Sequence, residues 1–95
     1  MDLKNKKVLI TGATGGIGYN LVNKFNSFES KIIATGTNEI KLNDLKTKYS
    51  SIDIERFKLD EHEKIEEFID KVDKKLGGID ILINNAGITL DNLSI

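Results

Sequence analysis

The feature that most constrains the fold of this 95-residue chain is a glycine-rich run, residues 11–18, directly after the apolar run Val8-Leu9-Ile10. The apolar run is typical of a buried strand, and an amphipathic segment begins within the glycine run. A helix that starts there presents unpaired backbone N–H groups and the positive end of its dipole to an anion. Glycine allows the backbone to approach that anion without interference from a Cβ. The arrangement predicts a cradle for the diphosphate of a dinucleotide.

Composition excludes several classes of function. The net charge of −1 gives no electrostatic footprint for nucleic acid or for an acidic membrane surface. The absence of cysteine excludes disulfides and thiolate metal sites, and the single His62 cannot form a metal site alone. The sequence shows neither a signal peptide nor an apolar run near the roughly 20 residues of a membrane span. We therefore expect one small cytoplasmic domain.

Four short apolar runs alternate with longer periodic segments, which predicts the order βαβαβαβ. The strands are expected at residues 7–11, 31–35, 52–59 and 79–84. The first, second and fourth are continuously apolar, as is typical of parallel strands covered on both faces. The third carries the charged residues Asp53, Glu55, Arg56 and Lys58. That composition is typical of an edge strand.

Apolar spacing predicts three helices, the first beginning in the glycine run, the second at 39–49 and the third ending at Gly77-Gly78. The residues expected to face the core are Ile17, Leu21, Val22, Phe25, Phe28, Ile40, Leu42, Leu45, Tyr49, Ile65, Phe68, Ile69, Val72 and Leu76. Right-handed crossovers then give a parallel sheet in the order 3-2-1-4. This is the N-terminal half of a Rossmann-type, doubly wound α/β fold, with a ligand expected at the carboxyl ends of strands one and four.

The glycine run alone fits two spacings, TGxxxGxG and TGxxGxxG, both of which begin at Gly12 and end at Gly18. A second motif decides between families. The segment Asp80-Ile81-Leu82-Ile83-Asn84-Asn85-Ala86-Gly87 resembles the DxLxNNAG signature of classical short-chain dehydrogenases/reductases. It follows the glycine run in the order that this family shows.

The next stretch, residues 87–93, is similar to the GITRDNL stretch of 3-oxoacyl-acyl-carrier-protein reductases, with Leu90 where arginine is common. The resemblance extends over all 95 residues. It implies NADPH-dependent reduction of the 3-keto group of an acyl chain held on acyl carrier protein, in fatty-acid biosynthesis, by a homotetramer. A short-chain dehydrogenase of another substrate is the alternative.

The resemblance and the cradle together indicate a set of cofactor-binding residues: Gly12, Ala13, Thr14, Gly15, Gly16, Ile17, Gly18, Thr37, Leu59, Asn85, Ala86 and Gly87. The second strand ends without the acidic residue that would bind the ribose hydroxyls of NAD and repel a 2′-phosphate. The resemblance places Thr37 at that phosphate, so NADPH is the expected cofactor. Two residues oppose this, since Gly15 stands where many NADPH-using relatives have arginine and Glu39 would disfavour a phosphate if it turned inward.

The adenine contact at the end of the third strand is less regular. The resemblance puts Lys58 where the family has Asp or Asn, whose side chain accepts a hydrogen bond from the adenine amino group. Lysine is only a donor, so this contact is lost, whereas the backbone N–H of Leu59 can still meet adenine. Asp60 has two alternative roles. It either replaces the missing side-chain acceptor for the adenine amino group, or it caps the third helix with Glu63 at the third helical position, and capping is favoured.

No catalytic residue is predicted in the chain. The resemblance implies an Asn, a Ser and a Tyr-xxx-Lys pair, but neither Tyr19 nor Tyr49 is followed four residues later by lysine, and His62 lies in a polar first helical turn. Asn84 and Asn85 have two open roles, as cofactor contacts and as ties between strands. We expect the truncated N-terminal part of one Rossmann domain, inactive alone and with an apolar edge at strand four. A non-catalytic nucleotide-binding or defunct fragment is the alternative.

Overall fold

The computed structural model describes residues 3–57 and 62–85. Strands and helices alternate in the predicted order, and each helix connects two parallel strands. The elements are β1 (Lys7–Thr11), α1 (Gly16–Ser27), β2 (Lys31–Gly36), α2 (Glu39–Lys48), β3 (Asp53–Arg56), α3 (His62–Leu76) and β4 (Ile81–Asn84). Within the described ranges no helix is long and apolar enough to cross a membrane.

The four strands form one parallel sheet in the order β3-β2-β1-β4, which confirms the predicted topology and the edge position of β3. Ile10 of β1 lies opposite Ala34 of β2 on one side and Ile83 of β4 on the other. The carboxyl ends of all four strands therefore share one edge of the sheet, which we call the carboxyl edge. The opposite end, where the strands begin, is called the amino edge.

Helices cover both faces of the sheet because neighbouring residues of a strand point to opposite faces. Val8 and Ile10 pack on α1 and α2, whereas Leu9 packs on α3. The first cluster also buries Val22, Ile32, Ala34, Leu42, Leu45, Tyr49 and Ile52, and the second buries Ile33, Ile65, Phe68, Ile69 and Val72. Each buried Leu, Ile or Val side chain contributes about 1.5–3 kcal/mol relative to exposure.

Three apolar residues that were expected to face the core are exposed: Ile17 (70%), Ile40 (76%) and Phe28 (42%). Ile17 and Ile40 are the second residues of α1 and α2. Because each helix starts beside the carboxyl edge, its first turn projects past the sheet and meets no apolar surface within residues 3–57 and 62–85. Phe28 follows the last residue of α1 and lies beyond the packed face.

The ends of the elements follow local backbone chemistry. The side chain of Asn38 caps α2 by accepting a hydrogen bond from the N–H of Lys41 at 3.1 Å. Gly77 and Gly78 end α3 as predicted, with φ of +76° and +118°, and the N–H of Gly78 donates to Asp73 O at 2.7 Å.

The sheet departs from the predicted bounds at four strand ends. β3 begins one residue later than expected because the N–H of Ile52 donates to Tyr49 O, at the end of α2, instead of joining the ladder. β4 begins at Ile81, since Ile79 packs against the α3 cluster, and β2 extends to Gly36. β3 ends at Arg56, so Phe57 is not part of the strand. Residues 58 and 59, the rest of the predicted third strand, lie outside the described ranges.

A carboxylate on β3 ties the edge strand to α3. Glu55 accepts from Lys71 at 3.3 Å and from Lys75 at 3.1 Å. Partial burial of Glu55 disfavours its charged form, but the hydrogen bonds from the two ammonium groups outweigh that effect and lower the pKa of the carboxyl. Exposed ion pairs of this kind contribute about 0.2–1 kcal/mol.

Candidate functional site

The chain leaves β1 through a turn built around the carbonyl of Gly12. Gly12 has φ of +63°, a conformation that favours glycine. Its carbonyl oxygen accepts hydrogen bonds from the N–H of Gly15 and from the side-chain amide of Asn85, both at 3.2 Å. The turn is therefore fixed both within itself and to the residue that follows β4.

Helix α1 presses directly onto this turn at Gly18. A Cβ on Gly18 would lie 2.2 Å from the carbonyl oxygen of Gly12 and 2.7 Å from the Cα of Ala13. Both neighbours are backbone atoms, which cannot rotate away. Gly12 and Gly18 are thus required by the fold itself, whatever binds at the carboxyl edge.

Gly15 and Gly16 have no such structural requirement. A Cβ on Gly16 would meet nothing within 4 Å, and one on Gly15 would make an ordinary 3.6 Å contact. Gly15 is the N-cap of α1 and provides no side-chain hydrogen bond, and the first turn contains no acidic residue. The N–H groups of residues 16, 17 and 18 accordingly have no partner inside the helix. This bare, positively polarised terminus fits an anionic diphosphate.

Two members of the predicted set serve to position the turn. Ala13 is fully buried, and its N–H donates to Thr35 O at 2.9 Å, so the turn is held against β2. The Thr14 side chain lies over Gly36, where a Cβ would come within 2.9 Å of its methyl carbon. Ile17, by contrast, stands exposed beside the open amides. Direct contact of these residues with a cofactor stays a prediction.

The asparagines after β4 connect it to β1. The Thr11 hydroxyl lies 3.1 Å from Asn84 Oδ1 and 3.3 Å from Ile83 O, and its single proton is shared between these two acceptors of β4. Together with the bond from Asn85 to Gly12, these contacts confirm the strand-tying role. Of the other predicted contacts, Leu59, Ala86 and Gly87 lie outside the described residues, as do Lys58 and Asp60.

The loop after β2 lies next to the glycine turn. Thr37 and Glu39 are both exposed, and no acidic residue ends the strand. The hydroxyl of Thr35 is buried and has no hydrogen-bond partner among the described residues. A cleft of about 400 Å³ opens between the turn and α2, lined by Thr14, Gly15, Gly16, Tyr19, Lys41, Asp44 and Leu45.

Sequence reasoning missed one contact at this loop. Arg56, interpreted only as an edge-strand charge, donates from Nε to Thr37 O at 3.1 Å. Its position beside the loop depends on the register between β2 and β3, which no sequence signal specifies. Lys41 was also missed, because its place in the cleft depends on how α2 packs.

The tyrosines have the packing role that was expected of them. Tyr49 is buried, and its hydroxyl donates to Asn23 Oδ1 at 2.9 Å. Its ring lies 6.3 Å from that of Tyr19, and the Lys48 ammonium stands 5.0 Å from the Tyr19 ring centroid. The hydrogen bond with Tyr19 raises the pKa of Lys48. Within the described ranges no group of acidic, histidine or cysteine side chains is arranged to hold a metal ion.

Comparison with known proteins adds independent evidence. The family model described as short chain dehydrogenase matches residues 6–94. A 3-oxoacyl-[acyl-carrier-protein] reductase of Rickettsia conorii is 41% identical over the whole chain, which covers 38% of that protein. An NADP-dependent 3-hydroxy acid dehydrogenase of Escherichia coli is 36% identical over 87% of the chain and 34% of its own length.

A solved short chain dehydrogenase from Bacillus anthracis superposes with a TM-score of 0.79 and 30% identity. The match covers 98% of the chain and 41% of that structure. The chain thus spans about two fifths of the length of its relatives.

Proposed function

Because the chain belongs to the short-chain dehydrogenase family, we propose that its carboxyl edge binds NADPH and supplies the cofactor cradle of an oxidoreductase. The observation that carries the proposal is the uncapped N-terminus of α1, with glycines at 15 and 16 that the fold does not require. Bound there, the cofactor supplies a hydride. The chain's own residues bind the diphosphate through backbone N–H groups and hold the two halves of the cofactor across the strand ends.

NADPH is favoured over NADH by the charge pattern after β2. An acidic residue at that position would accept hydrogen bonds from the ribose of NAD and would repel a 2′-phosphate, and this chain has Thr35-Gly36-Thr37 there. The E. coli relative, whose name states NADP dependence, supports the same choice.

The substrate class follows from what the relatives' names share. One reduces a 3-oxoacyl group on acyl carrier protein, and the other oxidises a 3-hydroxy acid. Both reactions change the oxidation level of the third carbon of an acyl chain. We infer that the complete enzyme reduces a 3-oxoacyl thioester on acyl carrier protein to the 3-hydroxyacyl form, as a homo-oligomer. The 95 residues contain no Tyr-xxx-Lys pair and are expected to bind cofactor without turnover.

Gly16→Ala tests the cradle. We expect NADPH affinity to fall at least about tenfold, because the new methyl group occupies the space that the diphosphate approaches. The free energy of unfolding should stay equal or rise by up to about 1 kcal/mol, since alanine is the better helix former and its Cβ meets nothing. Calorimetric titration with NADPH and urea unfolding measure the two effects.

Asn20→Ala, an exposed change on the same helix, is the matched control and should leave affinity unchanged. Wild-type affinity in Gly16→Ala would contradict the cradle. A wild-type chain that binds no NADPH would contradict the whole proposal.

The substrate inference is tested separately with the complete enzyme, by following NADPH oxidation with a 3-oxoacyl thioester and with the free 3-oxo acid. Faster turnover of the thioester is expected. Preference for the free acid would indicate a short-chain dehydrogenase of another substrate, and binding without turnover of either would favour a non-catalytic role.

A further inference from the structure

Arg56 lies where the sheet places the end of β3 beside the loop after β2. It is the last residue of β3 and pairs in register with Gly36, the last residue of β2. The N–H of Phe57 continues the ladder by donating to Gly36 O at 3.0 Å. The Arg56 side chain therefore emerges at the carboxyl edge, one strand away from β2.

The guanidinium of Arg56 is held in a defined position. Nε donates to Thr37 O at 3.1 Å, so the planar group is anchored on the loop that begins α2. That bond uses one of five N–H donors and leaves the two terminal amino groups of the fork, which match the geometry of a phosphate. Arg56 is exposed and is the only arginine among the 14 basic residues of the chain.

The ribose of a dinucleotide is bound at the end of the second strand of this fold, and an arginine nearby accommodates a 2′-phosphate. Neither the glycine turn nor the end of β2 provides a positively charged side chain. Arg56, on the neighbouring strand β3, brings a positively charged side chain to the end of β2. We propose, on the basis of the proposed function, that Arg56 is the residue that selects NADPH over NADH by binding the 2′-phosphate.

Lys41 is the competing cation. It lines the cleft beside Gly15 and Gly16, but Asp44 lines the same cleft and opposes an anion there. Lysine is also a flexible point charge without the planar fork of arginine. The two residues are separable by substitution, because Lys41 lies on α2 and Arg56 on β3.

The test measures affinities of the chain for NADP⁺ and NAD⁺, and for the probes 2′,5′-ADP and 5′-AMP, by calorimetric titration. In Arg56→Gln we expect binding of NADP⁺ and 2′,5′-ADP to weaken about 10- to 100-fold, as for loss of a charged hydrogen bond. Binding of NAD⁺ and 5′-AMP should change less than about twofold. Arg56→Lys should restore part of the lost affinity, since it keeps the charge without the anchored fork.

Lys31→Gln removes the same charge at the opposite end of β2 and should leave all four affinities unchanged. Equal weakening of both cofactors in Arg56→Gln, or no weakening, would overturn the inference. The inference would also be overturned if Lys41→Gln lost the preference for NADP⁺ while Arg56→Gln kept that preference. A wild-type chain that binds both cofactors equally would overturn this inference but leave the cradle intact, whereas one that binds neither would overturn both.

Discussion

The two edges of the sheet differ in how fully the protein satisfies its own polar groups. At the amino edge, loops and strands bond to one another. Lys31 N donates to Lys6 O and Asp80 N donates to Lys7 O, both at 2.8 Å. The backbone N–H of Lys7 donates to the Asp80 carboxylate, and the Lys7 ammonium donates to the carbonyl oxygen of Gly77. At the carboxyl edge the N–H groups that open α1 have no partner inside the helix and no side-chain cap among the described residues. The open N–H groups at the start of α1 therefore distinguish the carboxyl edge, where the cofactor cradle is proposed.

Cleft size favours the opposite edge of the sheet. A cleft of about 610 Å³ lies at the amino edge, against about 400 Å³ beside the glycine turn. Several polar side chains around the larger cleft have partners: Ser51 Oγ donates to Asn26 Oδ1 at 3.1 Å and Ser30 Oγ to Leu3 O at 2.7 Å. The proposed site therefore rests on the open donors at the start of α1 and not on cleft volume.

Gly18→Ala should break the frame of the carboxyl edge and has the largest expected effect. The added methyl group meets the Gly12 backbone at 2.2 Å, and we expect a loss of about 3 kcal/mol or more in the free energy of unfolding. Urea unfolding measures it, with Gly16→Ala as the matched control because the same atom enters open space there. Equal stability of the two variants would show that the turn yields and is not a rigid frame.

Asp80→Ala probes the amino edge and should have a smaller effect. It removes the acceptor of the 2.9 Å bond from Lys7 N, and we expect a loss of about 1 kcal/mol in unfolding free energy with NADPH affinity unchanged. Asp80→Asn keeps an acceptor oxygen and should lose less. A fall in NADPH affinity at unchanged stability would mean that this edge also contributes to binding.

The position of the turn, the order of the strands and the end of α3 could be predicted from the sequence, because local patterns determine them. The glycine run after Val8-Leu9-Ile10 located the turn, and alternation of strands and helices gave the order of the sheet. Gly77-Gly78 marked the end of α3 through backbone conformation alone. Such features depend on neighbours in the chain and on few distant contacts.

The failures all depend on contacts between residues distant in the sequence. For the helices, periodicity gives the face that is apolar but not where the sheet ends. Ile17 and Ile40 follow the apolar pattern and yet project past the sheet. Arg56 was interpreted only as a charge typical of an edge strand, because its contact with Thr37 is set by the register between strands. The glycines of the turn looked equivalent until their surroundings separated Gly18 from Gly16.

The central place of β1 has a consequence for synthesis on the ribosome. Its β2 partner follows within one helix, but Thr11 and its β4 neighbour Asn84 are separated by 73 positions. At a rate of synthesis of about 5–20 residues per second, β4 is translated roughly 4–15 s after β1, and one edge of β1 has no partner strand until then. During that interval the nascent polypeptide carries an unpaired strand edge, so rapid covering of that edge by chaperones should govern the yield of folded product.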